Sequence, residues 1–305
     1  MTCRSFAILP ILIAMALATT AHPHAVPAVR TEFVELDVVA LNHDDHPVQG
    51  LQARDFTVKE DGHPVAITSF TEVSAAGITG RDDGRSFVLL LDDMLIPTAT
   101  TVVQHIATRF FDRMRPYDRV DVVRLTHRDD ELSGQTVTAI DRVDAFRGGS
   151  LSYFGRSPVD DMLQTLARVS RSLESVPHRR KAIACIGSRQ VCDPFLPRPE
   201  DTLIWASWRN AISAAALANA SLYIVDVAGI RSAIDLGLGM VDATGGEDFV
   251  RTNNFDRAAE RIVEEASHYY LLGYTPTSKP HELHEINVSI ARSGVRALAR
   301  NYRGD

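Results

Sequence analysis

Apolar residues are spaced in two different ways along this chain, and the change of spacing marks its organisation. From Phe33 to Val73 they alternate with polar ones. "FVELDVVAL" reads as a half-buried strand, "DDHP" as a turn, and "DFTVKEDGHPVAITSF" as a hairpin with Asp61-Gly62 at its turn. From Arg85 to Glu265 the pattern changes. "SFVLLLD" is a continuous apolar run, as expected of a strand covered on both faces. Val102, Ile106, Phe110 and Met114 then recur every four residues and predict a helix from Thr98 to Met114. "DRVDVVRLT", "KAIACIG" and "SLYIVDV" are further strands, and "VDATGGEDFV" turns into a last short one. "GQTVTAID" alternates and predicts a polar edge strand. Met162, Leu163, Leu166, Val169 and Leu173 predict an amphipathic helix opened by Pro158, and an alanine-rich helix spans Thr202 to Ala220. Phe255 to Ala266 closes the middle as a helix. Three short strands follow: "ASHYYLLGYTP", "HEINVSIAR" and "GVRALARNYR".

Strand and helix in alternation predict a parallel sheet wrapped by helices. Neither β-rich end has enough strands for a stable sheet alone. The economical reading is one domain inserted between the two halves of a β-sandwich, since chain ends commonly lie close together. The expected boundaries are a first sandwich part at 31–75, the α/β domain at 82–265 and a second sandwich part at 266–305.

The segment before this fold has another character. Arg4 precedes an uncharged apolar run from Phe6 to Ala18, and small residues follow it. This is the pattern of a secretory signal peptide, expected at 1–21, with a Pro/Ala/His linker at 22–30. The run is short for a membrane span, so the mature protein is expected to be secreted or periplasmic with no membrane span. An oxidising compartment favours pairing Cys185 with Cys192, which have "IGSRQV" between them. Two cysteines alone do not fill a zinc site.

Composition narrows the function classes. The 305 residues are 45% hydrophobic and 23% charged with a net charge of −7, which argues against nucleic-acid binding. The cluster Arg179-Arg180-Lys181 is expected in a solvated turn. No Gly-x-Ser-x-Gly elbow is present, and "GGSLSYFG" lacks the Gly-Lys-Ser/Thr of a phosphate loop. Neighbouring Asp92 and Asp93 should point apart and not share a proton. His43, His46 and His63 read as solvated loop residues rather than a metal cluster. Asp118 and Asp121 read as capping or solvent-facing, and Trp205 and Trp208 as one packed helix face. The loop "DPFLPRPE" after the fourth strand is placed to meet a partner.

Four stretches stand in order along the chain: "LDVVALNHDDHPVQGLQARDFTVKEDGHPVAITSF", "FVLLLDD", "VDATGGEDFVRTNNFDRAAERIVEEASHYYLLGYTP" and the terminal "INVSIARSGVRALARNYR". Together they resemble the bacterial VWFA-related domain proteins, a family abundant in acidobacteria. The resemblance covers nearly the whole mature chain. It implies a von Willebrand A-like domain: a doubly wound, mostly parallel sheet with its ligand edge at the carboxyl ends of the strands. That edge commonly holds Mg²⁺ through an Asp-x-Ser-x-Ser loop, a threonine and a later aspartate. Asp92 matches the first position, but Met94 and Ile96 stand at the two serine positions. Ser150 fits the threonine position, and Gly187-Ser188 stands where the later aspartate belongs. Asp93, Asp160 and Asp161 are candidate substitutes.

The expectation is therefore a degenerate adhesion site. Asp92 and Ser150 are the residual metal ligands, with at most weak Mg²⁺ or Mn²⁺ binding. Asp92, Asp93, Ser150, Gly187 and Ser188 form a binding edge for a protein or cell-envelope component, without catalysis. A metal-assisted hydrolase using Asp92 and Asp93 with a loop histidine is the alternative from another class, and a structural envelope component is a third.

Overall fold

The computed structural model describes residues 33–74, 84–149, 157–176, 180–193, 202–229, 239–276 and 283–303. Four strands come first: β1 (Val34–Leu41), β2 (Phe56–Glu60), β3 (His63–Val65) and β4 (Ile67–Ser74). The expected turn joins β2 to β3, with Asp61 and Gly62 both at positive φ, 48° and 79°. A tight hairpin with the right-handed strand twist needs that conformation, which Asp-Gly supplies. The second arm is not one strand. It breaks at Ala66, leaving β3 beside β2 and sending β4 to a different sheet.

The middle runs β5 (Ser86–Leu91), α1 (Thr100–Phe111), β6 (Arg119–Arg124), α2 (Thr136–Ala145), α3 (Pro158–Glu174), β7 (Lys181–Gly187) and α4 (Arg189–Cys192). It continues with α5 (Thr202–Ala218), β8 (Ala220–Asp226), α6 (Met240–Thr244), β9 (Asp248–Phe249) and α7 (Phe255–Glu265). Its strands form one parallel sheet in the order β6-β5-β7-β8-β9. Every residue of β5, β7 and β8 is buried, and that explains their unbroken apolar runs. Val88, Leu90, Ile183 and Leu222 pack on α3 and α5. Phe87, Leu89, Ala184 and Val225 pack on α1 and α7 on the other face.

The expected edge strand in "GQTVTAID" is instead α2. Val137 and Ile140 are exposed while Ala139 and Val143 are buried, so the spacing of four prevails over alternation. This helix covers the open edge of β6. Arg142 donates to the Val122 carbonyl at 2.7 Å, and the Asp121 carboxylate accepts the amides of Ser133 and Gly134 at 2.7 Å each. A sheet edge closed in this way offers no free template for pairing.

The chain ends with β10 (His268–Tyr274), β11 (His284–Ile290), β12 (Arg296–Leu298) and β13 (Tyr302–Arg303). Two four-stranded antiparallel sheets result, β12-β1-β10-β4 and β13-β11-β2-β3. Each takes two strands from either end of the described chain, and the two sheets share one apolar core. In it Phe56 lies 5.1 Å from Tyr270 and 5.7 Å from Phe70 between ring centroids. The architecture is thus a helix-flanked, five-stranded parallel sheet set between strands of a sandwich drawn from both ends.

A buried polar seam joins the antiparallel sheets to the amino ends of β7 and β8. Arg180 is not in a solvated turn. Its guanidinium is fully buried, donates to the Tyr223 hydroxyl at 3.0 Å and lies 3.9 Å from Asp37 on β1. Lys181, also buried, donates to the Ala218 carbonyl at 2.6 Å. Asn219 donates to Asp37 at 2.6 Å, and Arg300 reaches the carbonyls of Ala216 and Glu35. Asp118, expected as a cap or at the surface, forms a buried ion pair with Arg85. Burial pushes its carboxyl up, and the bonds and charge of Arg85 outweigh this to hold it below the usual range. Trp205 and Trp208 stack at 4.7 Å, with Trp208 buried against Tyr302, in accordance with packing. Among the described residues no helix is long and apolar enough to cross a membrane. The expected leader and linker lie outside the described residues.

Candidate functional site

With the polar seam at the amino ends of the strands, the carboxyl ends form the opposite edge, where loops of an open α/β sheet meet. β5 delivers Asp92 there. The Asp92 amide still donates to the Ile186 carbonyl at 3.1 Å, so the residue is anchored to β7. Its side chain is buried and already engaged. One carboxylate oxygen accepts the Met94 amide at 3.1 Å, and the other accepts the Ser188 amide at 3.0 Å. Burial pushes its pKa up to about 6, against the lowering effect of those two amides. Gly187 makes this approach possible, because a Cβ there would lie 2.4 Å from the Cβ of Asp92. A side chain at position 187 would force the Asp92 corner to shift.

Asp93 turns the other way. It is buried and accepts the Thr126 amide at 3.1 Å and the Thr126 hydroxyl, both just past β6. Its second oxygen lies 3.0 Å from Nδ1 of His127, whose side chain is 45% exposed. The two aspartates therefore serve opposite flanks of β5 and do not pair with each other. Thr126 and His127 belong to the edge and were not legible in the sequence, since nothing local links them to Asp93.

Met94 and Ile96 supply no hard oxygen from their side chains. Ile96 is 69% exposed at the tip of the loop after β5. Against that loop lies the turn at Gly148, where a Cβ would stand 2.8 Å from the Leu95 carbonyl oxygen. This turn leads toward Ser150, which lies outside the described residues, as does most of "DPFLPRPE". Asp160 and Asp161 are occupied elsewhere: Asp160 accepts from Ser207 at 2.9 Å and Asp161 from Arg128 at 3.0 Å. β8 brings a further acid, Asp226, buried at the same edge and accepting the Ala228 amide at 3.0 Å. Its signal was the strand-then-aspartate pattern that "YIVD" shares with "LLLD".

The disulfide between Cys185 and Cys192 is present, with Cα atoms 5.9 Å apart. It joins the end of β7 to α4 and brackets the Gly187-Ser188 corner that receives Asp92. Arg189 on α4 pairs with Asp248 of β9 at 2.8 Å, tying the same corner to the neighbouring strand. The histidines of the first strands do not gather. His43 meets Asp44, His46 meets Glu264, and His63 is exposed on β3.

No family model matches the sequence, and no curated protein matches it. Among solved structures, human COPII-coat protein Sec24c is similar at a TM-score of 0.38 and 9% identity, over 72% of this chain and 43% of its own. The D319A mutant of the PilB minor pilin from Streptococcus sanguinis is similar at 0.37 and 11%, over 62% of this chain and 63% of its own. The chain spans less than two thirds of either structure.

Proposed function

We propose that this chain is a secreted or periplasmic, non-catalytic interaction module of von Willebrand A-like architecture, with a degenerate metal-ion-dependent adhesion edge. The observation that carries the reading is the engagement of Asp92. Both of its oxygens hold backbone amides of their own loops, and residues that would complete a cation site are Met94, Ile96 and Gly187. Such a carboxylate shapes an edge instead of presenting an ion. The exposed side chain of Ile96 offers an apolar contact where an adhesion site would offer a hydroxyl, and buried apolar anchors carry much of the energy of protein interfaces. The partner is a protein or an envelope component met by shape, an apolar anchor and loop hydrogen bonds.

The test is metal content and thermal unfolding of the protein with Mg²⁺, Mn²⁺ and EDTA, beside Asp92→Ala. We expect no Mg²⁺ or Mn²⁺ retained through Asp92, and any shift of the midpoint with either ion to be the same in the parent and in Asp92→Ala. A stabilisation by Mg²⁺ that disappears in Asp92→Ala would restore a working cation site, because native-state binding raises stability by mass action.

One observation favours a second reading, a hydrolase. Buried Asp93 orients the half-exposed His127 through Nδ1, as a carboxylate orients a general base. Turnover of activated esters that drops at least tenfold in His127→Ala would put this reading first.

A further inference from the structure

In the antiparallel sheet β13-β11-β2-β3 three potential ligands meet. Glu60 ends β2, Asp61 follows in the hairpin turn, and His284 begins β11. One ligand atom from each lies within 4.8 Å of the others. Glu60 and His284 are buried, whereas the Asp61 side chain is 47% exposed, so the cluster has a closed floor and an open side.

We propose that Glu60, Asp61 and His284 bind one divalent first-row metal ion, zinc foremost, which clasps the leading and trailing strands of the sandwich together. An imidazole nitrogen and two carboxylate oxygens form a donor set suited to zinc, with solvent at the open side as the fourth ligand. Asp61 is held in place for this role. Its Oδ1 accepts the Glu285 amide at 3.0 Å, leaving Oδ2 directed at Nδ1 of His284, 2.8 Å away. Ligands of a tetrahedral zinc stand about 3.3 Å apart, so the turn opens by about half an ångström on binding.

The charges also suit a dication. Arg303 lies 3.3 Å from Glu60 and offsets one of the two carboxylates, while a ligating histidine is neutral. Without metal, a single proton bridges the short Nδ1 to Oδ2 contact. A metal at Nδ1 takes that place while the neutral ring carries its one proton on Nε2. Asp61 and His284 are 223 residues apart, so the ion closes a long loop and acts as a staple on the native state alone.

The test uses the whole chain, stripped with EDTA and titrated with ZnCl₂ by calorimetry, alongside thermal unfolding. The expected result is one zinc ion per chain and an unfolding midpoint several degrees higher that EDTA returns to its starting value. Asp61→Asn keeps an acceptor for His284 at an exposed position and weakens zinc binding at least tenfold, while His63→Ala and His43→Ala leave it unchanged. No saturable binding, or the same binding in Asp61→Asn as in the parent, overturns the proposal. Loss of binding in His63→Ala with retention in Asp61→Asn also overturns it, by moving the ion to a surface histidine.

Discussion

Asp92 illustrates how one residue carries opposing demands. The two amides it accepts favour its charged form, yet burial outweighs them and its pKa rises to about 6. An acid raised above its unfolded value stabilises the fold fully below the unfolded pKa and loses that contribution as pH climbs through the folded one. The window therefore runs from about pH 4 to about pH 6. A rise of about two units corresponds to about 3 kcal/mol, an upper figure for a group that retains some solvent contact. Asp92→Asn does not titrate. Urea unfolding in EDTA should show the parent gaining up to about 3 kcal/mol over the variant between pH 7.5 and pH 4. A difference that stays flat across that window would mean the carboxylate is hydrated and the corner open.

Among the elements, the β7–α4 corner matters most to the site. Its disulfide encloses a short loop, and chain entropy gives about 2.5 kcal/mol for a loop of this length. Replacing both Cys185 and Cys192 by alanine should lower the unfolding free energy by about 2 kcal/mol. Amide exchange at Ser188 should quicken more than exchange in mid-β7, because the corner loses its bracket. Uniform acceleration across the strand would separate the disulfide from the site. The cysteine pair was readable in advance because its separation and the expected oxidising compartment suffice to suggest it. The buried strands and four of the long helices were readable because uninterrupted apolar runs and spacing by four survive in any context. The segment at Thr136–Ala145 was not, since its few apolar residues fit two periods and only packing on β6 decided between them. The site was legible in one half. Asp92 and Asp93 ended a recognisable strand, while Thr126, His127 and Asp226 come from other strands whose neighbours only the sheet order reveals.

For the whole molecule the decisive feature is the seam at Arg180. Burial alone would raise the Asp37 carboxyl, and it remains raised in spite of the opposing charge of Arg180. A charge network of this kind is a weak source of net stability but costly to break from one side. Arg180→Ala should therefore destabilise the protein by about 3–5 kcal/mol. The pair Arg180→Met with Asp37→Leu should recover part of that loss, because the two opposite charges leave together while buried Arg300 and Lys181 lose Asp37 as a counter-charge. Chemical denaturation of the single and double variants measures the coupling. Additive losses would show that Arg180 acts through Tyr223 and Gly245 instead, to which it also donates.

The strand order of the two antiparallel sheets has a temporal meaning. A nascent chain releases β1 through β4 long before β10 through β13 exist to pair with them. During that interval the leading strands expose unpaired edges, a state prone to aggregation. The parallel sheet needs only its own segment, so it can assemble while synthesis continues. Once formed, it brings Ser86 and Glu265 into one body and replaces a long flexible loop with a rigid one, which lowers the entropy cost of the final pairing. The sandwich is thus expected to close last, with the inserted α/β layer as the jig on which the two ends meet.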